Sequence, residues 1–103
     1  MDFDIITHAG GLRVALKGRL TFTENEAFRR MLAALASAPG AAARIEFDLA
    51  EVSFIDSAGL GLLLHARDSW RGQDGRVTLA GAAGQVARML TLARFDALFD
   101  RAA

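Results

Sequence analysis

Ser53-Phe54-Ile55-Asp56-Ser57-Ala58-Gly59-Leu60-Gly61-Leu62-Leu63-Leu64 carries the chain from an apolar run, through one acid and one hydroxyl, into a dense stretch of helix formers. On its N-terminal side Ile45, Phe47 and Leu49 alternate with Arg44, Glu46 and Asp48. That is the two-residue period of a strand, and it extends toward Val52 and Phe54. On its C-terminal side the residues from Ser57 to about Trp70 suit a helix, apolar where it starts (Leu60, Leu62, Leu63, Leu64), polar where it ends (Arg67, Asp68, Arg71) and closed by Gly72. A strand leading directly into a helix is the unit from which α/β folds are built.

The remaining segments extend this unit in both directions. Phe3 and Ile5 alternate with Asp2 and Asp4, Ala9-Gly10-Gly11 marks a turn, and Leu12, Val14 and Leu16 alternate with Arg13, Ala15 and Lys17, which together predict a β-hairpin. After Gly18 the period changes: Phe28, Met31, Leu32, Leu35 and Ala36 fall at helical spacing. Thr23 with Glu26 three residues on forms a capping-box start and Pro39-Gly40 a stop, so a helix is expected from about Thr23 to Ser37. Gly75 introduces a short strand, Arg76 to Ala80, and after Gly81 a last helix carries Val86, Met89, Leu90 and Ala93, with Phe95, Leu98 and Phe99 folding back as a tail. The order β-β-α-β-α-β-α predicts an α/β sandwich with a mixed sheet, because a strand-helix-strand crossover makes the joined strands parallel.

Composition bounds the function. The 103 residues, 52% hydrophobic, suit a single domain spanning 1–103. Twelve Lys and Arg balance twelve Asp and Glu, so no global field draws in nucleic acid or an anionic membrane. Cysteine is absent, which removes disulfides and thiol chemistry and is compatible with a cytoplasmic location. The N-terminus lacks the basic and apolar regions of a secretory signal. The most apolar segment, Ala58 to Ala66, is too short to insert across a bilayer.

Several chemistries compete for the turn at Asp56-Ser57. In the simplest, the Ser57 hydroxyl caps the helix that follows and the glycines allow close helix–sheet packing. A dinucleotide loop needs a third glycine where Leu64 stands, and no Lys follows a glycine in the frame of a phosphate-binding loop, so no cofactor is expected. A nucleophilic Ser57 with His65 as its base fails on distance, since eight helical residues separate them by about 12 Å. The Gly-x-Ser-x-Gly elbow of hydrolases is also missing, since Ile55 stands two residues before Ser57. His65 and His8 have no metal-ligand pattern around them, Trp70 suits edge packing, and Arg29, Arg30, Arg67 and Arg71 suit solvated faces.

The stretch Phe54-Ile55-Asp56-Ser57-Ala58-Gly59-Leu60-Gly61-Leu62-Leu63 resembles the phosphorylation segment of STAS domains, the module named for sulfate transporters and anti-sigma factor antagonists. The flanking order agrees: a hairpin ending in Gly18-Arg19-Leu20, a helix, the strand before Asp56, and a final strand and helix between Val77 and Ala93. The resemblance implies a non-enzymatic partner switch. Ser57 would accept phosphate from an anti-sigma-type serine kinase and lose it to a PPM-type phosphatase, and the unphosphorylated form would bind the kinase-like partner. By position, Asp56, Ala58, Gly59, Leu60 and Thr21 would form the partner-binding surface. Thr21 stands where many family members carry an acid, which implies a divergent partner or a contribution from its own hydroxyl. The same fold without the switch would be a constitutive adaptor in a larger transport or sensory complex.

Overall fold

The computed structural model describes residues 1–8, 11–37, 44–71, 76–97 and 99–102. Strands β1 (Asp2–His8) and β2 (Gly11–Leu20) form the expected hairpin, with antiparallel pairing from Asp2 opposite Lys17 to His8 opposite Gly11. Two residues of its predicted turn, Ala9 and Gly10, lie outside the described residues, as do the helix-ending glycines 40 and 72 and Pro39. Helix α1 (Asn25–Ala36), β3 (Arg44–Ile55), α2 (Ser57–Arg71), β4 (Arg76–Ala80), α3 (Gly84–Leu92) and β5 (Asp100–Ala102) follow in chain order. The sheet has five strands in sequential order, β2 to β5 parallel and β1 antiparallel at the edge, so the mixed sheet read from the sequence is correct.

Strand order explains the layering. Each of the three crossovers, through α1, α2 and α3, steps to the next strand in the same direction across the sheet. Right-handed crossovers that all step one way place their helices on one face. Accordingly the inward residues of the sheet (Leu12, Val14, Leu16, Ile45, Phe47, Leu49, Leu79) share one core with Phe28, Met31 and Leu35 of α1, Leu63 and Ala66 of α2, and Val86 and Leu90 of α3. Phe28 meets Phe47 at a ring separation of 6.2 Å. Burying a side chain of this size contributes about 1.5 to 3 kcal/mol, and this two-layer core is the main stabilising term.

Among the described residues the opposite face carries no helix and is a lattice of charges. Arg13 Nη2 donates to Asp48 Oδ2 at 2.7 Å and its Nε lies 3.5 Å from Glu46, while Lys17 reaches Asp4 at 3.1 Å and Glu51 at 3.9 Å. A hollow of about 700 Å³ on this face is lined by Ile6, Arg13, Glu46 and Thr78 among others, and by no residue of the Asp56-Ser57 turn.

Two expectations need correction. The tail after α3 does fold back, with Phe95 and Phe99 in the core and Leu98 outside the described residues, but the predicted order stops one strand short: Phe95–Ala97 makes a 3-10 turn, Phe95 stacks on Phe99 at 5.1 Å, and the chain then adds β5 to the free edge of β4. Pairing to β4 is what three residues gain by leaving solvent, and no periodicity can be read in so short a strand. The start of α1 also differs. Phe22–Glu24 forms a 3-10 turn, closed by the Glu24 N–H donating to the Thr21 carbonyl at 2.9 Å, and the α-helix begins only at Asn25. Thr23 is therefore inside the tightened turn instead of before the helix, its hydroxyl meets that of Thr21 at 3.1 Å, and Glu26 pairs forward with Arg30 at 3.2 Å.

Candidate functional site

The site is the turn from β3 into α2, and β3 determines where it lies. Twelve residues long, β3 outruns β4: their pairing covers only Arg44–Asp48 against Arg76–Ala80, whereas β2 stays paired to β3 as far as Leu20 opposite Ile55. The Asp56 N–H donates to the Leu20 carbonyl at 3.3 Å, continuing the ladder by one residue before the helix starts.

Asp56, and not Ser57, is the cap of α2. Its Oδ1 accepts the Gly59 N–H at 2.8 Å, its carbonyl accepts the Leu60 N–H at 3.0 Å, and its Oδ2 accepts the Phe22 N–H at 3.3 Å. One carboxylate thus satisfies an orphan donor of the helix and ties the end of β2 to the same turn. The simplest reading of the turn, with the Ser57 hydroxyl as the cap, is displaced by one residue: the side chain that caps must precede the first helical residue, and Ser57 is that first residue. Freed of the cap, Ser57 is exposed.

Gly59 accounts for the tightness of the turn. A β-carbon there would stand 2.1 Å from the Leu20 carbonyl oxygen and 2.7 Å from Ile55 Cγ1, distances no real side chain tolerates. The first turn of α2 rests directly on the backbone of β2, as the sequence suggested for this glycine. Gly61, by contrast, faces open space.

The predicted residues Thr21, Asp56, Ser57, Ala58, Gly59 and Leu60 come together at one end of the sheet. Thr21 lies between Leu20 and Phe22, both of which are hydrogen-bonded to Asp56. Ala58 and Leu60 are half-buried and Gly59 is buried. His65 lies two helical turns away on α2, and the side chain of Trp70 lies outside the described residues. Sequence reasoning missed three neighbours. Phe22, joined to Asp56 through its amide, is 73% exposed. Arg19 lies over the ring of the partly exposed Phe54 at 5.4 Å. Gln85, from α3, holds Ile55 through both backbone groups. Phe22 continues the two-residue phase of Leu16 and Leu20 past the end of β2 and yet is exposed, so the alternation concealed it as a core position; Gln85 gave no signal either. Among the described residues no cluster of His, Cys, Asp or Glu is arranged to hold a metal ion.

A mixed sheet covered on one face by three helices, with the Asp56-capped turn at the head of the second, has the fold of the STAS class of domain. A family profile described as "Mlab, STAS domain" matches residues 6–100, and the chain belongs to that family. A STAS-domain containing protein of Pseudomonas aeruginosa is 31% identical over 88 residues, 85% of this chain and 84% of that one. Among solved structures, a Thermotoga maritima protein assigned as an anti-sigma factor antagonist shares the fold at a TM-score of 0.83 and 21% identity, over 96% of this chain and 84% of that one. The anti-sigma factor antagonist SpoIIAA in its unphosphorylated form aligns at 0.73 and 22% identity, over 99% and 88% of the two chains. The Bacillus SpoIIAA structure in the phosphorylated form aligns at 0.69 and 20% identity, over 99% of this chain and 92% of that one. The fold also occurs inside a murine Solute Carrier 26 family anion transporter, at 0.72 and 22% identity over 82% of this chain but 14% of that one.

Proposed function

We propose that this STAS domain is a phosphorylation-controlled partner switch of the anti-sigma factor antagonist kind, with Ser57 as the phosphate acceptor. The observation that carries the proposal is the combination of an exposed Ser57 at the first position of α2 with a cap made entirely by its neighbour Asp56. A hydroxyl engaged in capping would have to leave its bond to be modified; this one does not.

The first amides of an α-helix have no intrahelical partner, and here Asp56 takes that of Gly59 while those of Ser57 and Ala58 remain at the head of the helix. A phosphate on Ser57 would bring about −1.5 to −2 charges to the positive end of the helix dipole, a favourable term of only about 0.3 to 1 kcal/mol. Asp56 opposes it by like charge. The balance is small, so the fold survives modification; that SpoIIAA has this fold in both forms supports the point.

The effect falls on association. Phe22, Ala58 and Leu60 offer an apolar surface around the serine, and a dianion set into such an interface without cationic partners costs a few kcal/mol, enough to weaken binding by a hundredfold or more. The unmodified form binds an anti-sigma-type serine kinase in the cytoplasm, the phosphorylated form releases it, and a PPM-type phosphatase resets the cycle. Among the described residues no helix is long and apolar enough to cross a membrane.

The test is binding of the kinase partner by Ser57→Ala and Ser57→Asp, alongside intact-mass mapping of the protein from its host with and without phosphatase. Retained binding by the first, loss by the second and a removable phosphate at Ser57 are expected. Equal affinity of the two variants rules the switch out. The occurrence of the fold within an anion transporter favours one second reading, a constitutive adaptor of a larger complex. That reading requires an assembly whose stability ignores the state of Ser57.

A further inference from the structure

Beyond Asp48 the edge of β3 that faced β4 has lost its strand, yet Ile55 on that edge is fully buried. Backbone groups alternate in direction along a strand. The Asp56 N–H turns toward β2, to the Leu20 carbonyl, so the N–H and C=O of Ile55 point the other way, to where β4 has ended. Left unpaired in a buried position, each would carry the full desolvation penalty of an unmet backbone polar group. The Gln85 side chain supplies both partners: its Oε1 accepts the Ile55 N–H at 3.0 Å and its Nε2 donates to the Ile55 carbonyl at 2.8 Å. A planar carboxamide has one acceptor and one donor in the arrangement of a peptide group, and here it acts as a one-residue strand projected from the first turn of α3.

Ile55 is the residue on which the acceptor turn hangs. It precedes Asp56 by one and Ser57 by two, and its Cγ1 packs where Gly59 leaves room. With β2 on one side and Gln85 on the other, Ile55 is fixed in the plane of the sheet, and Asp56 then reaches the Gly59 and Phe22 amides together.

We infer that Gln85 is a positioning residue for the Ser57 site, holding the acceptor turn in register by standing in for the missing end of β4. The inference rests on the proposed switch for its biological reading, but the geometry it asserts is measurable without any kinase. Its chemistry predicts an unusual response to Gln85→Glu. A neutral carboxylic acid keeps the carboxamide's pairing, one acceptor and one donor, whereas the ionised form sets a bare oxygen against the Ile55 carbonyl. Gln85→Leu removes both bonds at every pH.

The experiment is amide hydrogen exchange, residue by residue, in the wild-type domain, Gln85→Leu and Gln85→Glu from about pH 5 to 8, with the phosphorylation rate at Ser57 by the cognate kinase as a second arm. In Gln85→Leu the amides of Ile55, Gly59 and Phe22 should exchange at least tenfold faster while those of Leu12, Val14 and Phe47, at the other end of the sheet, stay within twofold. In Gln85→Glu the ratio to wild type should be large at high pH and approach one as the carboxyl protonates. Phosphorylation should slow at least tenfold in Gln85→Leu and recover in Gln85→Glu along the same pH profile. Exchange at Gly59 and Phe22 unchanged in Gln85→Leu, or a Gln85→Glu ratio that ignores pH, overturns the inference. So does an equal phosphorylation rate in wild type and Gln85→Leu, which leaves the switch itself standing. A wild-type protein that takes no phosphate removes the switch, and the exchange arm alone then decides the role of Gln85.

Discussion

The starts of α1 and α2 carry similar capping signals in sequence and end up built in opposite ways. At α2 the Asp56 carboxylate binds an amide of the helix with one oxygen and, with the other, the Phe22 amide in the 3-10 turn that follows the hairpin. At α1 the capping position falls on Glu24, which makes no side-chain cap bond, and the Thr23–Glu26 pair that promised a reciprocal box is spent elsewhere. The difference is the anchoring of the residue before the cap. Ile55 is held from both sides of the sheet, so Asp56 has one place to go. The chain entering α1 comes off the end of β2 into a 3-10 turn, and that turn moves the helix start past Thr23. A cap is therefore strong where the sheet holds its backbone, and the only exposed serine hydroxyl at an α-helix head among the described residues sits at the anchored one.

The sharpest way to break this comparison is Gly59→Ala. The added β-carbon must displace the Leu20 carbonyl or lift α2 off β2, and overpacking costs about 1 to 3 kcal/mol, with a backbone clash this close at the upper end. Denaturant unfolding should show a large loss of stability or no folded protein; a change below about 1 kcal/mol would mean that the helix head is not seated on β2 at all. Asp56→Ala comes next, at about 1 to 2 kcal/mol, the usual worth of a cap. Asp56→Asn should fall between, since an amide oxygen still accepts from Gly59 but its NH2 then opposes the Phe22 N–H.

These two residues also mark how much the sequence disclosed. The strand of alternating residues from Ile45 to Leu49, the α2 run after Ser57 and the hairpin were legible because each buries one face and the burial is written as a period. Gly59 was legible as a close approach because only a missing side chain permits one. That Asp56 and not Ser57 makes the cap was not, since both residue types cap helices and a shift of one position decides which does. Gln85 and β5 were not legible either: their partners lie thirty and about twenty residues away, and no local pattern records that β4 stops short of the end of β3.

Gly61→Ala sharpens the comparison in the other direction. It lies two residues beyond Gly59 on the same helix but faces open space, so replacing it removes only the entropic penalty of glycine. A gain of about 0.5 to 1 kcal/mol in unfolding free energy is expected, opposite in sign to Gly59→Ala. A smaller effect tests a carboxylate within β3, Asp48, where its pairing to β4 ends. The Ala50 N–H and then Arg13 hold Asp48 below its ordinary range. A depressed folded value stabilises above the unfolded pKa, near 4, and that contribution is lost as pH falls through the folded value. Asp48→Asn should lower stability at pH 6 by a few tenths of a kcal/mol, as partly exposed pairs do, and make the acid limb of the stability curve shallower by the same amount.

The smallest expected effect is at Thr23, and it bears most directly on the contrast between the two helices. A threonine in a working capping box loses about 1 kcal/mol on replacement by alanine. Here its hydroxyl meets only the exposed hydroxyl of Thr21, and the turn is closed by backbone bonds that alanine keeps. Thr23→Ala should therefore change the urea midpoint by no more than the equivalent of about 0.3 kcal/mol. A loss near 1 kcal/mol would show the box forming in solution, and α1 would then start as firmly as α2. Anchoring by the sheet could no longer be what sets the head of α2 apart, and the preference for Ser57 as the presented hydroxyl would need another cause.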